Sequence, residues 1–249
     1  MKSTYNSKKV HEKYHKKTKP QDKIIAKNNF TYKIILPILD KYVNTTNKKI
    51  LDIGCGSGTL SLYLASKGNT VHGIDISKRA VYTSNKSAKE LGLKNVSFEV
   101  LDFPRDKLRP KNYDVILLLE VIEHIEEDAK ALQLLYSRLN INGILILSTP
   151  SKNAPLYRLG LTKDFDKRVG HLRRYREKEL LDQIKSAGFN IIEIKKNEGI
   201  LRNFLYTNSI AGNAIRFIKF FIVDLISYLD NLSMLIFGES DFIVIAKKS

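Results

Sequence analysis

The chain has 249 residues and 43% of them are hydrophobic, which is enough for one large α/β domain with appendages and excludes disorder throughout. Lys and Arg outnumber Asp and Glu by 42 to 26; the net charge of +16 suits an anionic partner such as nucleic acid or a lipid surface, and the plainer reading is a lysine-rich surface, since the lysines are spread along the whole chain. The single cysteine, Cys55, excludes an internal disulfide, and the chain shows neither an apolar leader nor a run of about 18 uncharged apolar residues, so the expectation is a cytoplasmic protein, at most peripheral at a membrane.

The first 20 residues form a polar, basic arm closed by Pro20. From Asp22 to Val43, Ile24, Ile25, Ile34, Ile35, Leu36, Ile38 and Leu39 predict one or two helices interrupted near Pro37. Strands and helices then alternate. Strands are expected over Lys49–Ile53, Thr70–Ile74, Val96–Leu101, Tyr113–Leu119 and Ile144–Ser148, with helices over Gly58–Ser66, Lys78–Leu91 and Asp128–Leu139 between them. Tyr113–Leu119 is nearly all apolar, as a strand covered on both faces must be. A helix over Glu177–Ser186 and strands over Asn190–Lys195 and Phe242–Lys247 complete the pattern, which predicts an α/β, doubly wound, mostly parallel sheet. Arg216–Ile236 has helical periodicity. Phe217, Ile218, Phe221, Ile222, Leu225, Leu229, Leu232 and Ile236 share one face, and Arg216, Lys219, Asp224, Ser227, Asp230 and Asn231 the other. That helix is read as a cap on the core; a lid over a greasy substrate, a dimer face and a membrane-surface helix are the alternatives.

The turn after the first strand carries the chemistry. Glycine lets the backbone turn tightly and approach a ligand, and the helix start behind it offers free N–H groups. The spacing is Gly54-x-Gly56-x-Gly58 with Thr59 next, which fits neither a dinucleotide G-x-G-x-x-G nor a P-loop. Asp52, two residues before the first glycine, suits a cationic ligand better than a pyrophosphate, and Asp75 at the end of the second strand can accept from both ribose hydroxyls.

Asp52-Ile-Gly-Cys-Gly-Ser-Gly58 resembles the signature of class I S-adenosylmethionine-dependent methyltransferases. Asp75-Ile76 resembles their ribose-binding acid and its neighbour, Leu101-Asp102-Phe103 the motif whose Asp holds the adenine amino group, Leu119-Glu-Val-Ile-Glu-His124 the segment after strand four, and Asn142-Gly-Ile-Leu-Ile-Leu-Ser-Thr-Pro150 the next strand motif. The resemblance covers roughly residues 49–195 and is nearest to the ubiquinone-biosynthesis O-methyltransferase-like group (methyltransferase type 11/12-like). It implies a Rossmann-like sheet of seven strands with the last antiparallel. The division it implies is 1–48 as basic N-terminal arm and helices, and 49–249 as the methyltransferase domain with a helical insert or cap at 197–240. S-adenosyl-L-methionine is the implied cofactor. Its implied contacts are Asp52, Gly54, Cys55, Gly56, Gly58, Asp75, Ile76, Asp102, Phe103, Leu119 and Glu120.

Methyl transfer from a sulfonium to a hydroxyl needs alignment, exclusion of water and a base. The candidates are His124, His171 and Glu123. If Glu120–His124 is a helical turn, Glu120, Glu123 and His124 lie at i, i+3 and i+4 on one face, and two carboxylates with an imidazole can hold a divalent ion, Mg or Mn. This resembles both the ubiquinone group and methyltransferases of small-RNA 3′ ends, in which a second downstream histidine completes the site; His171 is its counterpart. Without a metal, Glu120 lies beside the donor and His124 is a base or a structural residue. Val169-Gly-His-Leu-Arg-Arg-Tyr175 reads as an acceptor-site loop with an Arg for an anionic group, or as a solvated basic turn. Leu119-Glu-Val-Ile122 stands where enzymes acting on the amino groups of bases often carry Asn/Asp-Pro-Pro-Tyr, which favours an oxygen or carbon acceptor. The leading expectation is O-methylation of a small-molecule or lipid-linked acceptor. A 2′-O RNA methyltransferase and a non-catalytic donor-binding subunit are the alternatives, and the oligomeric state is left open.

Overall fold

The structure, a computed structural model, describes residues 2–27, 29–43, 45–108, 112–208 and 220–249. Seven strands form one sheet: β1 (Lys49–Ile53), β2 (Thr70–Asp75), β3 (Val96–Val100), β4 (Tyr113–Leu119), β5 (Leu139–Pro150), β6 (Phe189–Asn197) and β7 (Asp241–Lys248). Their order across the sheet is β3-β2-β1-β4-β5-β7-β6. The first five are parallel, and β7 lies antiparallel to both β5 and β6. Every expected strand is present, and β5 is longer than expected. Asn142, at φ +66°, turns the chain inside it before the regular pairing from Ile144 onward.

Both faces of the sheet are covered. Leu51, Ile53, Ile116, Leu118, Leu145 and Leu147 pack on one side with Leu132 and Leu135 of α5 (Asp128–Arg138) and Leu180 and Ile184 of α8 (Glu177–Ser186). Ile50, Val115, Leu117, Ile146 and Ile245 pack on the other with Leu36 and Leu39 of α2 (Ile35–Tyr42) and Leu64 of α3 (Thr59–Ser66). Alternate residues of one strand thus serve opposite layers, which is why the central strands read as unbroken apolar runs. Helix α4 (Lys78–Glu90) follows β2.

Three expectations change. The basic arm is helical, as α1 (Lys2–His15), and its periodicity escapes notice because the stretch is polar all round. Among the described residues between Asp22 and Val43 only α2 is a regular α-helix; Pro37 sits in its first turn, where its missing N–H has no intrahelical partner to lose, and so does not interrupt it. The third change concerns the segment before β7. Of the predicted Arg216–Ile236 helix, Arg216, Phe217, Ile218 and Lys219 lie outside the described residues. The described helix runs from Phe220 to Phe237 and is numbered α10, after two short helices between β5 and α8, α6 (Pro155–Arg158) and α7 (Lys163–Val169), and after α9 (Ile200–Thr207).

Helix α10 is turned the opposite way from a cap on an apolar core. Its polar side faces inward: Asp230 is 1% exposed, accepts from the Gly199 N–H and the Arg202 N–H at 2.9 Å each, and lies 3.7 Å from the Arg202 guanidinium. Ser227 Oγ accepts from Arg202 Nη2, and Ser233 Oγ from the Ile200 N–H. Leu225, Leu229, Leu232, Leu235 and Ile236 are exposed. The free N–H groups at the start of α9 and the buried guanidinium decide the rotation, since leaving either without a partner costs more than leaving leucines wet.

Asp230→Ala is expected to destabilise the protein by about 3–5 kcal/mol, because it strands a buried guanidinium and uncaps α9. Urea unfolding measures this, and Asp230→Asn, which keeps one acceptor, is expected to lose less.

Candidate active site

The parallel strands end at one edge of the sheet, and β7 begins there. A cavity of about 1040 Å³ runs along this edge. In sheet order its wall is built by Asp102 after β3, Asp75 at the end of β2, the glycine turn after β1, Glu120 after β4, Ser148 of β5, Asp241 of β7 and Glu198 after β6. The volume is at the top of the range for small-molecule sites, roughly 300–1,000 Å³, and leaves room for two ligands side by side.

Asp75 ties the turn down. Its Oδ2 accepts from the Gly56 N–H at 2.9 Å and its Oδ1 from the Ser77 N–H at 2.8 Å. Gly54 is left-handed, at φ +68°, and a Cβ there would lie 2.4 Å from Val121 Cγ2, so the turn passes directly against the segment after β4. Gly58 serves packing instead: a Cβ would meet the Phe98 ring at 2.7 Å, and the residue does not line the cavity. Asp52 is buried and accepts from Ser61 Oγ at 2.5 Å; burial pushes its pKa up to about 7 against that hydrogen bond. Cys55, Ile76, Asp102, Phe103 and Leu119 line the cavity with it. Burial holds the Cys55 thiol in its neutral form.

The expected face of Glu120, Glu123 and His124 does not form. The 3-10 turn covers only Ile122–His124, and Glu120 precedes it in the left-handed region at φ +56°. Glu120 instead accepts from Ser148 Oγ at 2.6 Å. The partner that joins Glu123 and His124 is His171, and the three offer ligand atoms within 4.8 Å of one another. His124 donates from Nδ1 to the Gly170 carbonyl at 3.0 Å, and His171 from Nδ1 to Asp166 at 2.9 Å. Both imidazoles therefore carry their lone pair on Nε2, 3.9 and 3.7 Å from Glu123 Oε1. That oxygen is buried and has no hydrogen-bond partner among the described residues, while Oε2 accepts from Thr149. Burial, then Glu120, raises the Glu123 pKa well above the carboxylate range; burial and the neighbouring histidines lower that of His124 to about 3. Glu123 is fully buried behind the cavity wall, and His124 and His171 stand on it.

The two arginines after His171 are already committed. Arg173 bonds Asp128 at 2.6 Å, and Arg174 bonds Asp166 through Nε and Nη2, keeping only a buried Nη1 without a partner. Both anchor the loop, so the expectation of an Arg held ready for an anionic group is not met by Arg173.

Several wall residues carry no sequence signature. Helix α1 roofs the cavity with His11, Tyr14 and His15, and its Glu12 carboxylate accepts from the Lys78 N–H at 2.6 Å and the Arg79 N–H at 3.3 Å, capping α4 from outside. The His11-Glu-Lys-Tyr-His15 spacing, with both histidines on one helical face, is the only hint of this. Glu198, Asn203, Tyr206 and Asp241 come from the segment around α9 and the start of β7, where no motif stands.

Residues 44–208 match the family model described as "Methyltransferase domain". The chain is 33% identical over 195 residues to the ubiquinone biosynthesis O-methyltransferase of Rickettsia conorii, covering 71% of this chain and 62% of that one. It is 31% identical over 194 residues to that of Rickettsia prowazekii, covering 70% and 74%. The chain thus spans about half to three-quarters of the length of the curated relatives it matches. Among solved structures it resembles a Haemonchus contortus phosphoethanolamine N-methyltransferase 2 in complex with S-adenosyl-L-methionine (TM-score 0.66, 19% identity, 87% of this chain and 52% of that one). It also resembles a magnesium protoporphyrin IX methyltransferase from Synechocystis PCC 6803 with bound SAH (TM-score 0.60, 22% identity, 88% and 82%). These two share the fold. With the Asp75-clamped glycine turn at the sheet edge and a family match over most of the chain, the protein belongs to the class I S-adenosylmethionine-dependent methyltransferases.

Proposed function

We propose that the chain transfers the methyl group of S-adenosylmethionine to a hydroxyl of a small or lipid-linked acceptor. The carrying observation is the single cavity that joins the glycine turn to two imidazoles whose Nε2 lone pairs are free. The methyl is already activated by the sulfonium charge, so the protein's work is to align the acceptor oxygen with it, exclude water and take the hydroxyl proton. Asp75 holds the ribose, Asp102 the adenine amino group, and the turn residues Gly54, Cys55 and Gly56 the amino-acid end, beside Leu119 and Glu120. His171 is the proton acceptor, held in orientation through Nδ1 by Asp166, and His124, whose burial and histidine neighbours lower its pKa to about 3, stands beside it, bonded through Nδ1 to the Gly170 carbonyl. In this reading residues 1–48 roof the domain formed by 49–249, and the insert at 197–240 closes its far end.

Glu123, His124 and His171 would also hold a divalent ion. The orphaned Glu123 Oε1 and the two Nε2 atoms fit one, and the hydrogen bonds at both Nδ1 atoms are of the kind that orient metal-bound imidazoles. Such an ion would supply Lewis acidity toward the acceptor hydroxyl. Protons do not compete at His124, whose pKa is lowered to about 3, but they do at Glu123, which burial holds in its neutral form, so an ion would bind with release of the Glu123 proton.

The 2′-O RNA reading has the basic surface in its favour, but carboxylates outnumber cations on the cavity wall, which repels a phosphate backbone. A lipid-linked acceptor is favoured by the exposed leucines of α10 and by Leu159 and Leu161, exposed after α6, whose Arg158 donates to the Phe237 carbonyl at the end of α10. No helix among the described residues is long and apolar enough to cross a membrane.

Three measurements test this reading. Asp75→Ala is expected to weaken S-adenosylmethionine binding by about tenfold or more, the loss of charge-assisted hydrogen bonds; calorimetric affinity equal to wild type would exclude the assigned donor site. Chelation is expected to abolish transfer of labelled methyl to acceptor fractions and to lower the melting temperature, with Mn restoring both. Chelator-insensitive protein would leave His171 as the base acting without an ion. Leu235→Glu with Ile236→Glu is expected to remove co-sedimentation with phosphatidylglycerol vesicles and to leave S-adenosylmethionine affinity unchanged; retained sedimentation would exclude the α10 face as a lipid contact.

A further inference from the structure

The far end of the cavity has a chemistry of its own. Glu120, at the end of β4, and Asp241, at the start of β7, both line it and are close enough to repel one another. Asn197 Nδ2 donates to Asp241 Oδ1 at 3.3 Å, which leaves Asn197 Oδ1 buried with no partner among the described residues. Glu198, in the left-handed region at φ +58°, turns the chain from β6 into α9 and lines the same wall. Opposite it on α9, Asn203 is 6% exposed, and its Oδ1 also lacks a partner. Three carboxyl groups and two orphaned amide oxygens therefore meet at one end of the cavity.

The neighbouring cation does not answer them. Arg202 is 2% exposed and is spent on Asp230, the Phe30 carbonyl and Ser227. Burial and mutual repulsion with Glu120 push Glu198 up to about 8 and Asp241 well above the carboxylate range, against the opposing pull of Arg202 on Glu198. Asp241, Asn197 and Asn203 are the buried part of this wall, and buried acceptors are costly unless something donates to them.

We propose that this wall, Glu198, Asp241 and Asn203 with Glu120 beside them, is a subsite for a primary ammonium carried by the acceptor. An ammonium supplies three N–H donors and a positive charge in one compact group, which matches two carboxyl groups, ionised by the bound charge, and an orphaned amide oxygen. The subsite stands in sheet order beyond Glu120, on the side away from Asp75, so the ammonium lies past the methyl and not beside the nucleoside. The inference rests on the methyl-transfer reading above and narrows it to a hydroxylated amine.

The test uses three phenols of one size: tyramine, 4-ethylphenol and 4-hydroxyphenylacetate. Each is titrated by calorimetry into the full chain saturated with S-adenosylhomocysteine. Tyramine is expected to bind about tenfold or more tighter than 4-ethylphenol, the worth of a hydrogen-bonded charge, and the anion weakest. Glu198→Gln and Asn203→Leu are expected to narrow the gap to about threefold or less, with S-adenosylhomocysteine affinity and melting temperature showing that both variants are folded. Equal affinities for the three probes, no measurable binding of tyramine, or a preference that survives both substitutions would overturn the subsite. A loss confined to S-adenosylmethionine relative to S-adenosylhomocysteine would also overturn it, since the acids would then serve the sulfonium. Labelled methyl transfer to the same probes separates the two claims. Methylation of 4-ethylphenol without an ammonium preference removes the subsite and keeps the hydroxyl reading; label on the nitrogen of tyramine removes both, since the nitrogen would then stand at the methyl as a free amine.

Discussion

A strand buried on both faces has no room for a polar side chain except at its ends, and the rest of this site follows from that constraint. β4 runs apolar from Val115 to Leu119, and the first residue beyond it is Glu120. β1 admits Asp52 only beside Ser61, and β2 closes on Asp75, whose carboxylate is bonded to the two turns that flank it. Because the first five strands are parallel, these groups all emerge at one edge, the place where open α/β sheets bind ligands. The antiparallel entry of β7 matters as much. A strand running the other way begins where its neighbours end, so Asp241 joins the same edge and the acceptor end of the cavity acquires its acid.

The cavity and the surface have opposite electrostatic characters. A chain with a net charge of +16 encloses a wall rich in carboxylates, several of them held neutral or half-neutral by burial. Screening over about 8 Å at physiological salt leaves surface lysines little influence on that interior. Composition alone pointed toward an anionic partner, and the cavity points toward cations: a sulfonium at one end and a further positive group at the other. The two readings are compatible only if the surface charge acts elsewhere, at an anionic lipid surface or simply in solvation.

What was legible in the sequence had a period or a punctuated turn. The strands, the glycine turn and Asp75 follow from apolar runs that end in glycine or acid, and all are where they were expected. The failures have particular causes. Glu120 has the sequence spacing of a helical partner to Glu123 and His124, but its positive φ breaks the period two residues before the 3-10 turn begins, and His171, 51 positions after Glu120, takes its place. Such a partner has no local signal; only the resemblance to a site with a second histidine hinted at it. Glu198 and Asn203 were missed because their segment has neither motif nor repeat, and α1 because a helix polar on every face shows no period. The face of α10 was misjudged because amphipathicity says which sides differ and not which side is bought by tertiary contacts.

That last inversion links the two ends of α9. The same short helix sends Arg202 to Asp230 and Asn203 to the cavity, on adjacent residues pointing to different sides. If α10 packed through its leucines, Asp230 would be turned outward, Arg202 would lose its counter-charge, and the nearest carboxylate left for it is Glu198. The guanidinium would then neutralise the acid that gives the far end of the cavity its character. Holding Asp230 inward keeps Glu198 available to a ligand, and it does so by leaving Leu225, Leu229, Leu232 and Leu235 on the outside. The exposed apolar face and the acidic wall are therefore two consequences of one ion pair.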